Sequence, residues 1–227
     1  MGIEQEIREA LLAERDEGYK AFHQKLIPTV DEARVLGVRM PAQRKIAKAY
    51  KKDPRLYDYL ALSQHTYMEE MNVHGFLLDA ITDFDVCVVQ LDHLLSMVDN
   101  WANCDSLMPM TLKKHPDQAV AHAFAWMDSD APYTVRFGIL VLMRFALAER
   151  FDETHLRAVA ACSCDEYYVN MAVAWYFSMA LAKQYEKTLP WISERRLPEW
   201  VHKKSIQKAV ESRQVSAAHK EVLKSYR

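Results

Sequence analysis

PYTVRFGILVLMRFALAER (132–150) and YYVNMAVAWYFSMALA (167–182) decide how the chain folds. Both are almost wholly apolar, and neither alternates as a half-buried strand would. Pro132 stands at a favoured first-turn position. The same reading extends outward in both directions. Ile3, Ile7 and Leu11 recur every four residues, Pro41 opens PAQRKIAKAYKK, and Pro54 opens PRLYDYLAL. Further helices are expected over 67–81, 84–97, 105–114, 116–127, 152–162, 167–185, 198–211 and 216–226. Asp83, Asp128 or Asp130, and Asp165 stand before apolar runs as N-cap candidates. Roughly ten to twelve helices joined by short breaks form antiparallel hairpins, in a bundle or a solenoid. A helix-pair period of about 35–40 residues lies in the HEAT/armadillo range. The expected fold is therefore all-α, a HEAT-like α-solenoid of antiparallel helix pairs running through one domain, 1–227. Its concave side, lined by the second helix of each pair, is the usual binding surface.

Composition narrows the chemistry. The chain has 227 residues, 50% hydrophobic and 26% charged, enough to bury a substantial core and too apolar for disorder. Its five glycines include no G-x-G-x-x-G, G-x-x-x-x-G-K or G-x-S-x-G pattern, which weighs against dinucleotide, P-loop and nucleophile-elbow chemistry. No run approaches the roughly 20 apolar residues of a membrane span. The opening MGIEQEIREALLAERDEGYK has no basic-then-apolar secretory pattern. Cys87, Cys104, Cys162 and Cys164 are too scattered for a disulfide scaffold, and Cys-Ser-Cys is too tight for zinc. These features predict a cytoplasmic protein with reduced thiols and no membrane association.

Charge is segregated although the net value is −2. Residues 34–55 carry eight Lys/Arg against one Asp, and 183–227 carry eleven against five Glu, flanking an acidic middle. Two basic ends could grip a polyanion, or could be ordinary solvated faces. The DNA-binding candidates in these segments are Arg39, Arg44, Lys48, Lys203, Lys204, Lys208 and Arg213.

Four residues on otherwise apolar helices stand out. Trp101 and Asp105 lie four apart and share a helical face. Arg136 and Trp175 follow at about one helix-pair period each, so the four could line one concave cleft. The alternative is core tryptophans with a structural Asp105–Arg136 ion pair. His65, His74, His93, His115, His122 and His155 show no metal-binding spacing and read as satisfied or surface histidines. Glu69 and Glu70 suit a helix N-terminus electrostatically, with a role near the cleft as the other reading. Cys104, beside Asp105, is a poor nucleophile candidate.

GVRMPAQR (37–44), NWANCDSL (100–107), YTVRFGI (133–139) and YYVNMAVAWYFSMALA (167–182), in this order and spacing, resemble the AlkD family of bacterial DNA alkylation repair glycosylases over roughly residues 30–215. The resemblance implies a HEAT-like solenoid holding duplex DNA. It implies excision of N3-methyladenine and N7-methylguanine with no metal or organic cofactor and no obligate protein partner. It makes Asp105 the catalytic carboxylate, Trp101 and Trp175 the cleft tryptophans and Arg136 the cleft arginine. An alkylated purine already carries the charge that makes it a leaving group. Asp105 would then stabilise the oxocarbenium ion and position water. The tryptophan faces would attract the cationic nucleotide. Arg136 would hold a phosphate. The competing readings are a catalytically silent binder of distorted or branched DNA and a protein–protein scaffold.

Overall fold

The structure, a computed structural model, describes residues 2–227, and every regular element among them is helical. The chain runs through fifteen α-helices among the described residues. They are α1 Ile3–Ala13, α2 Glu17–Gln24, α3 Met40–Tyr50, α4 Leu56–Leu60, α5 Met68–Leu77, α6 Phe84–Leu95, α7 Trp101–Ser106, α8 Met110–Lys114, α9 Pro116–Met127, α10 Pro132–Phe145, α11 Glu153–Ala161, α12 Tyr167–Lys183, α13 Tyr185–Ser193, α14 Glu199–Glu211 and α15 Ala217–Lys224. Short 3-10 turns cover Glu32–Arg34 and Leu78–Ala80. No described helix is long and apolar enough to cross a membrane. Contacts group the chain into two compact units, Met1–His115 and Pro116–Arg227.

In the first unit α5 is central. It packs against α1, α3, α4, α6 and α7, and every one of its residues is buried. Burial on all sides explains why α5 shows no single apolar stripe. The loop before α3 is fixed from α5: the Glu69 carboxylate accepts backbone N–H bonds from Leu36 (3.1 Å), Gly37 (2.9 Å) and Val38 (3.3 Å). Gly37 has φ +79°, and a Cβ there would lie 2.5 Å from the Asp16 carbonyl, so the turn needs glycine twice over. Glu70 is also buried; it accepts from the Tyr67 N–H at 2.9 Å and from Arg8 Nε at 2.7 Å. These two carboxylates therefore do more than favour a helix dipole: they bond neighbouring segments to α5.

In the second unit α10, α12 and α14 pack in sequence, with α9 against α10, α11 and α13 against α12, and α15 against α14. This stacking of successive helix pairs is what a solenoid requires. Gly138 lets α9 and α10 approach closely, since a Cβ would sit 2.8 Å from the Ala123 carbonyl. Trp126 meets Phe137 edge-on at 4.9 Å, and Tyr176 and Phe177 complete the buried aromatic core.

Several expected boundaries move. The expected helix over 105–114 is two helices, α7 and α8, and Asp105 lies in the last turn of α7 rather than at a start. Asn100 caps α7 by accepting from the Asn103 N–H, and Leu107 is extended two residues before Pro109, which disfavours helix in the residue it follows. The apolar run after Phe145 continues as buried non-helical chain, with Ala146 and Leu147 almost wholly inaccessible. Asp83 caps α6 as expected, whereas Ala131 and Glu166 hold the N-cap positions of α10 and α12, without side-chain caps. Two helices were not foreseen: α2, capped by Asp16, and α13, which contains Pro190. The four cysteines are free thiols.

Candidate functional site

The short helix α7 presents Trp101 and Asp105 on one face, each partly exposed. It is fastened to α5 by a buried polar network. Asn103 Nδ2 donates to the Met68 carbonyl (2.9 Å) and to Asn72 Oδ1 (2.7 Å), and Ser106 Oγ donates to the same Asn72 oxygen (2.9 Å). Asn100 Nδ2 donates to Asn103 Oδ1 and to Asp99 Oδ1. Asn72, Asn100 and Asn103 are all buried. Buried amides satisfied by one another rigidify the element that carries them. Trp101 is anchored separately. Its Nε1–H donates to the Leu26 carbonyl at 3.0 Å, and its ring packs on the cluster of Ile27, Val30, Val35 and Met68. The sequence singled out Trp101 and Asp105 but not the asparagines that hold them. Their signal was two amides, Asn100 and Asn103, before and within one short helix, which reads equally as a loop. The third, Asn72, sits on α5, far away in sequence, and only tertiary contacts bury all three together.

In the second unit Arg136 is 4% exposed and its Nη1 donates to the Tyr168 carbonyl at 2.8 Å, tying α10 to α12. Trp175 is partly exposed in the middle of α12, not sealed in the core around Tyr176 and Phe177. Burial and then the Lys204 charge lower the Lys208 pKa, with Glu211 opposing them and Arg136 adding a smaller push down. Lys204, Lys208 and Arg136 thus feel one another across α10 and α14, with the Glu211 carboxylate partly offsetting their charge.

The other basic candidates separate. Lys203 pairs with Glu199 at 2.5 Å and lines a pocket with Gln207, Glu211 and Arg227. Lys204 donates to Gln207 at 2.8 Å and lies over the Trp200 ring. Arg213 is exposed beyond the end of α14. In the first unit Arg44 and Lys48 line a concavity of about 290 Å³ with Lys51 and Asp79, and Arg44 stacks on Phe76 at 4.1 Å. Arg39 instead pairs with Asp16 at 3.1 Å and covers the Tyr19 ring at 4.6 Å. Arg34 and Arg55 are also engaged, by Asp99 and by Glu6 with Asp53. Internal pairing therefore takes part of the basic charge of 34–55 away from any outside anion.

Among the histidines, His65 Nε2 and His74 Nδ1 share a hydrogen bond at 2.9 Å, and His93 Nε2 meets the Leu62 carbonyl at 2.9 Å. His74 is fully buried, and desolvation, with neighbouring His65 and His93, pushes its pKa down to about 3. These are packed histidines beside Tyr59, but only partly satisfied ones: His74 Nδ1 is bonded to His65, while its buried Nε2 has no hydrogen-bond partner among the described residues.

Comparison with curated proteins gives no match. A family model described as DNA alkylation repair enzyme matches residues 3–210. That span takes in α7 with its asparagine supports, α10, α12 and nearly all of α14, so the chain belongs to the DNA alkylation repair enzyme family.

Proposed function

We propose that the protein is a DNA glycosylase that excises cationic alkylated purines, N3-methyladenine and N7-methylguanine, from duplex DNA in the cytoplasm without a cofactor. In this reading the chain acts as one HEAT-like superhelical domain, 1–227. The observation that carries it is a partly exposed carboxylate, Asp105, beside a partly exposed indole, Trp101, on a helix immobilised by buried amides. A fixed anion can stabilise a developing oxocarbenium ion without reorganising, which is the largest single contribution available when the leaving base is already cationic. Trp101 and Trp175 offer ring faces to the positive charge. Lys204 and Lys208 take the strand phosphates. Arg136, nearly buried, raises the positive potential beneath them rather than gripping a phosphate at the surface.

Incubation with N7-methylguanine DNA and mass detection of free base is the direct test. Asp105→Asn keeps the volume and removes the charge, and should slow release roughly 10²–10³-fold while DNA binding persists. Trp175→Ala should cost less, about 5- to 30-fold for a cation–π contact of roughly 1–2 kcal/mol. Undiminished release by Asp105→Asn refutes the assignment. DNA binding by the wild type with no base released replaces it with the silent-binder reading.

A further inference from the structure

An aromatic row crosses the first turns of three alternate helices of the second unit, α10, α12 and α14, which pack in sequence. Tyr133 of α10 meets Tyr168 of α12 at 6.0 Å, Tyr168 meets Tyr167 edge-on at 5.1 Å, and Tyr167 meets Trp200 of α14 edge-on at 5.6 Å. The row starts half-buried and ends exposed: Tyr167 is 53% and Trp200 40% accessible. Two large rings in contact with each other and open to water form an apolar patch with no role in the core. Lys204 Nζ lies 5.7 Å from the Trp200 centroid, and Lys208 and Arg136 lie beyond it.

We propose that Tyr167 and Trp200 form a stacking platform for an unpaired base, in a single-stranded tail or flap next to the duplex, with Lys204 holding the adjoining phosphate. The proposal rests on the reading of this protein as a DNA-binding enzyme and adds a subsite to it. Exposed rings match the π-face of a base, which a duplex hides in its stack and only an unpaired nucleotide offers. A duplex backbone needs cations alone. The lysine beside the rings makes the patch complementary to a nucleotide rather than to an apolar peptide. Charge across the patch sets the side on which the backbone lies. Asp165 and Glu166 are exposed just before Tyr167, and Lys204 and Lys208 follow Trp200 along α14, so the backbone runs on the α14 side. Glu199, the acidic residue next to Trp200, is engaged by Lys203.

Fluorescence anisotropy of the full chain, with a blunt duplex and with the same duplex carrying a short single-stranded thymine tail, tests this. Stacking contributes roughly 1–3 kcal/mol per base, so the tailed duplex should bind about 5- to 150-fold tighter than the blunt one. Trp200→Ala should abolish that preference and leave blunt-duplex affinity and base release within about twofold. Trp200→Phe, which keeps a stacking face, should retain the preference, and Tyr167→Ala should reduce it. Trp200 is exposed enough for these variants to fold, and circular dichroism checks that they do. Equal wild-type affinity for the two duplexes overturns the platform and leaves the glycosylase reading intact. A Trp200→Ala loss that is the same for both duplexes also overturns it, because the ring would then serve the duplex alone. Failure to bind either DNA overturns both proposals.

Discussion

Asn103→Ala isolates what the buried amide network contributes to α7. The side chain donates to the Met68 carbonyl and to Asn72 Oδ1 and accepts from Asn100 Nδ2. Truncation removes all three bonds from a fully buried position. The loss is cushioned, because Asn72 Oδ1 keeps Ser106 Oγ and Asn100 Nδ2 keeps Asp99. With roughly 0.5–1 kcal/mol for each of the three cushioned bonds and a small added void, the cost is about 2–3 kcal/mol. For a chain of this size that lowers Tm by roughly 5–10 °C. Urea denaturation followed by circular dichroism gives the free energy, and a thermal scan gives the shift. Asn103→Asp should cost more, since it turns an acceptor toward the Met68 carbonyl and Asn72 Oδ1 in a site closed to water. A Tm for Asn103→Ala within about 1 °C of wild type would refute the claim that this network holds α7. At temperatures where the variant stays folded, base release should still fall, because Trp101 and Asp105 ride on the loosened helix.

Two other predictions concern the first unit. Gly37→Ala should destabilise by roughly 2–4 kcal/mol in urea titrations, from the left-handed φ together with the close approach to the Asp16 carbonyl; a change below about 0.5 kcal/mol would contradict both. Stability should also fall as pH drops from 7 to 5. His74 has a folded pKa of about 3, below its ordinary value of 6.5, so the unfolded chain binds more protons across that window and gains stability relative to the fold as pH falls. The slope from this residue approaches about 1.4 kcal/mol per pH unit below pH 6, and His74→Gln should flatten it; an unchanged slope in urea midpoints would exclude His74 as its source.

How much was legible in the sequence differs between helices and site. α10 and α12 were readable because Pro132 marks one start and their unbroken apolar runs state their burial, although the run of α10 continues past its end at Phe145. α7 and α8 were not separated, because Leu107 is as apolar as a helical core residue and nothing local says that it turns away to fill the first-unit core. α13 was missed because Pro190 in its interior argues against a helix, and packing on α12 overrides it. Trp101 and Asp105 were found by their four-residue spacing, which is a local property of any helix. The roles of Glu69 and of Asn72 were not legible, since each acts on a partner more than thirty residues away.

The sequence by itself determined that the chain is all-helical, where most helices lie, and that Trp101, Asp105, Arg136 and Trp175 are out of place on apolar helices. Helical periodicity and proline positions act over one or two turns, so they are written locally. Only the tertiary structure decided which charges remain available. Arg39, Arg34 and Arg55 look equivalent to Arg44 and Lys48 in sequence, yet the first three are bound to carboxylates from α1, the loops around Asp16 and Asp99, and Asp53. Lys203 and Lys204 are neighbours in the chain, yet the helix turns one toward Glu199 and Arg227 and the other toward Trp200. A side chain's charge is fixed by its type, but its partner is fixed by which segments the core brings alongside, and that is settled only when the apolar faces have packed.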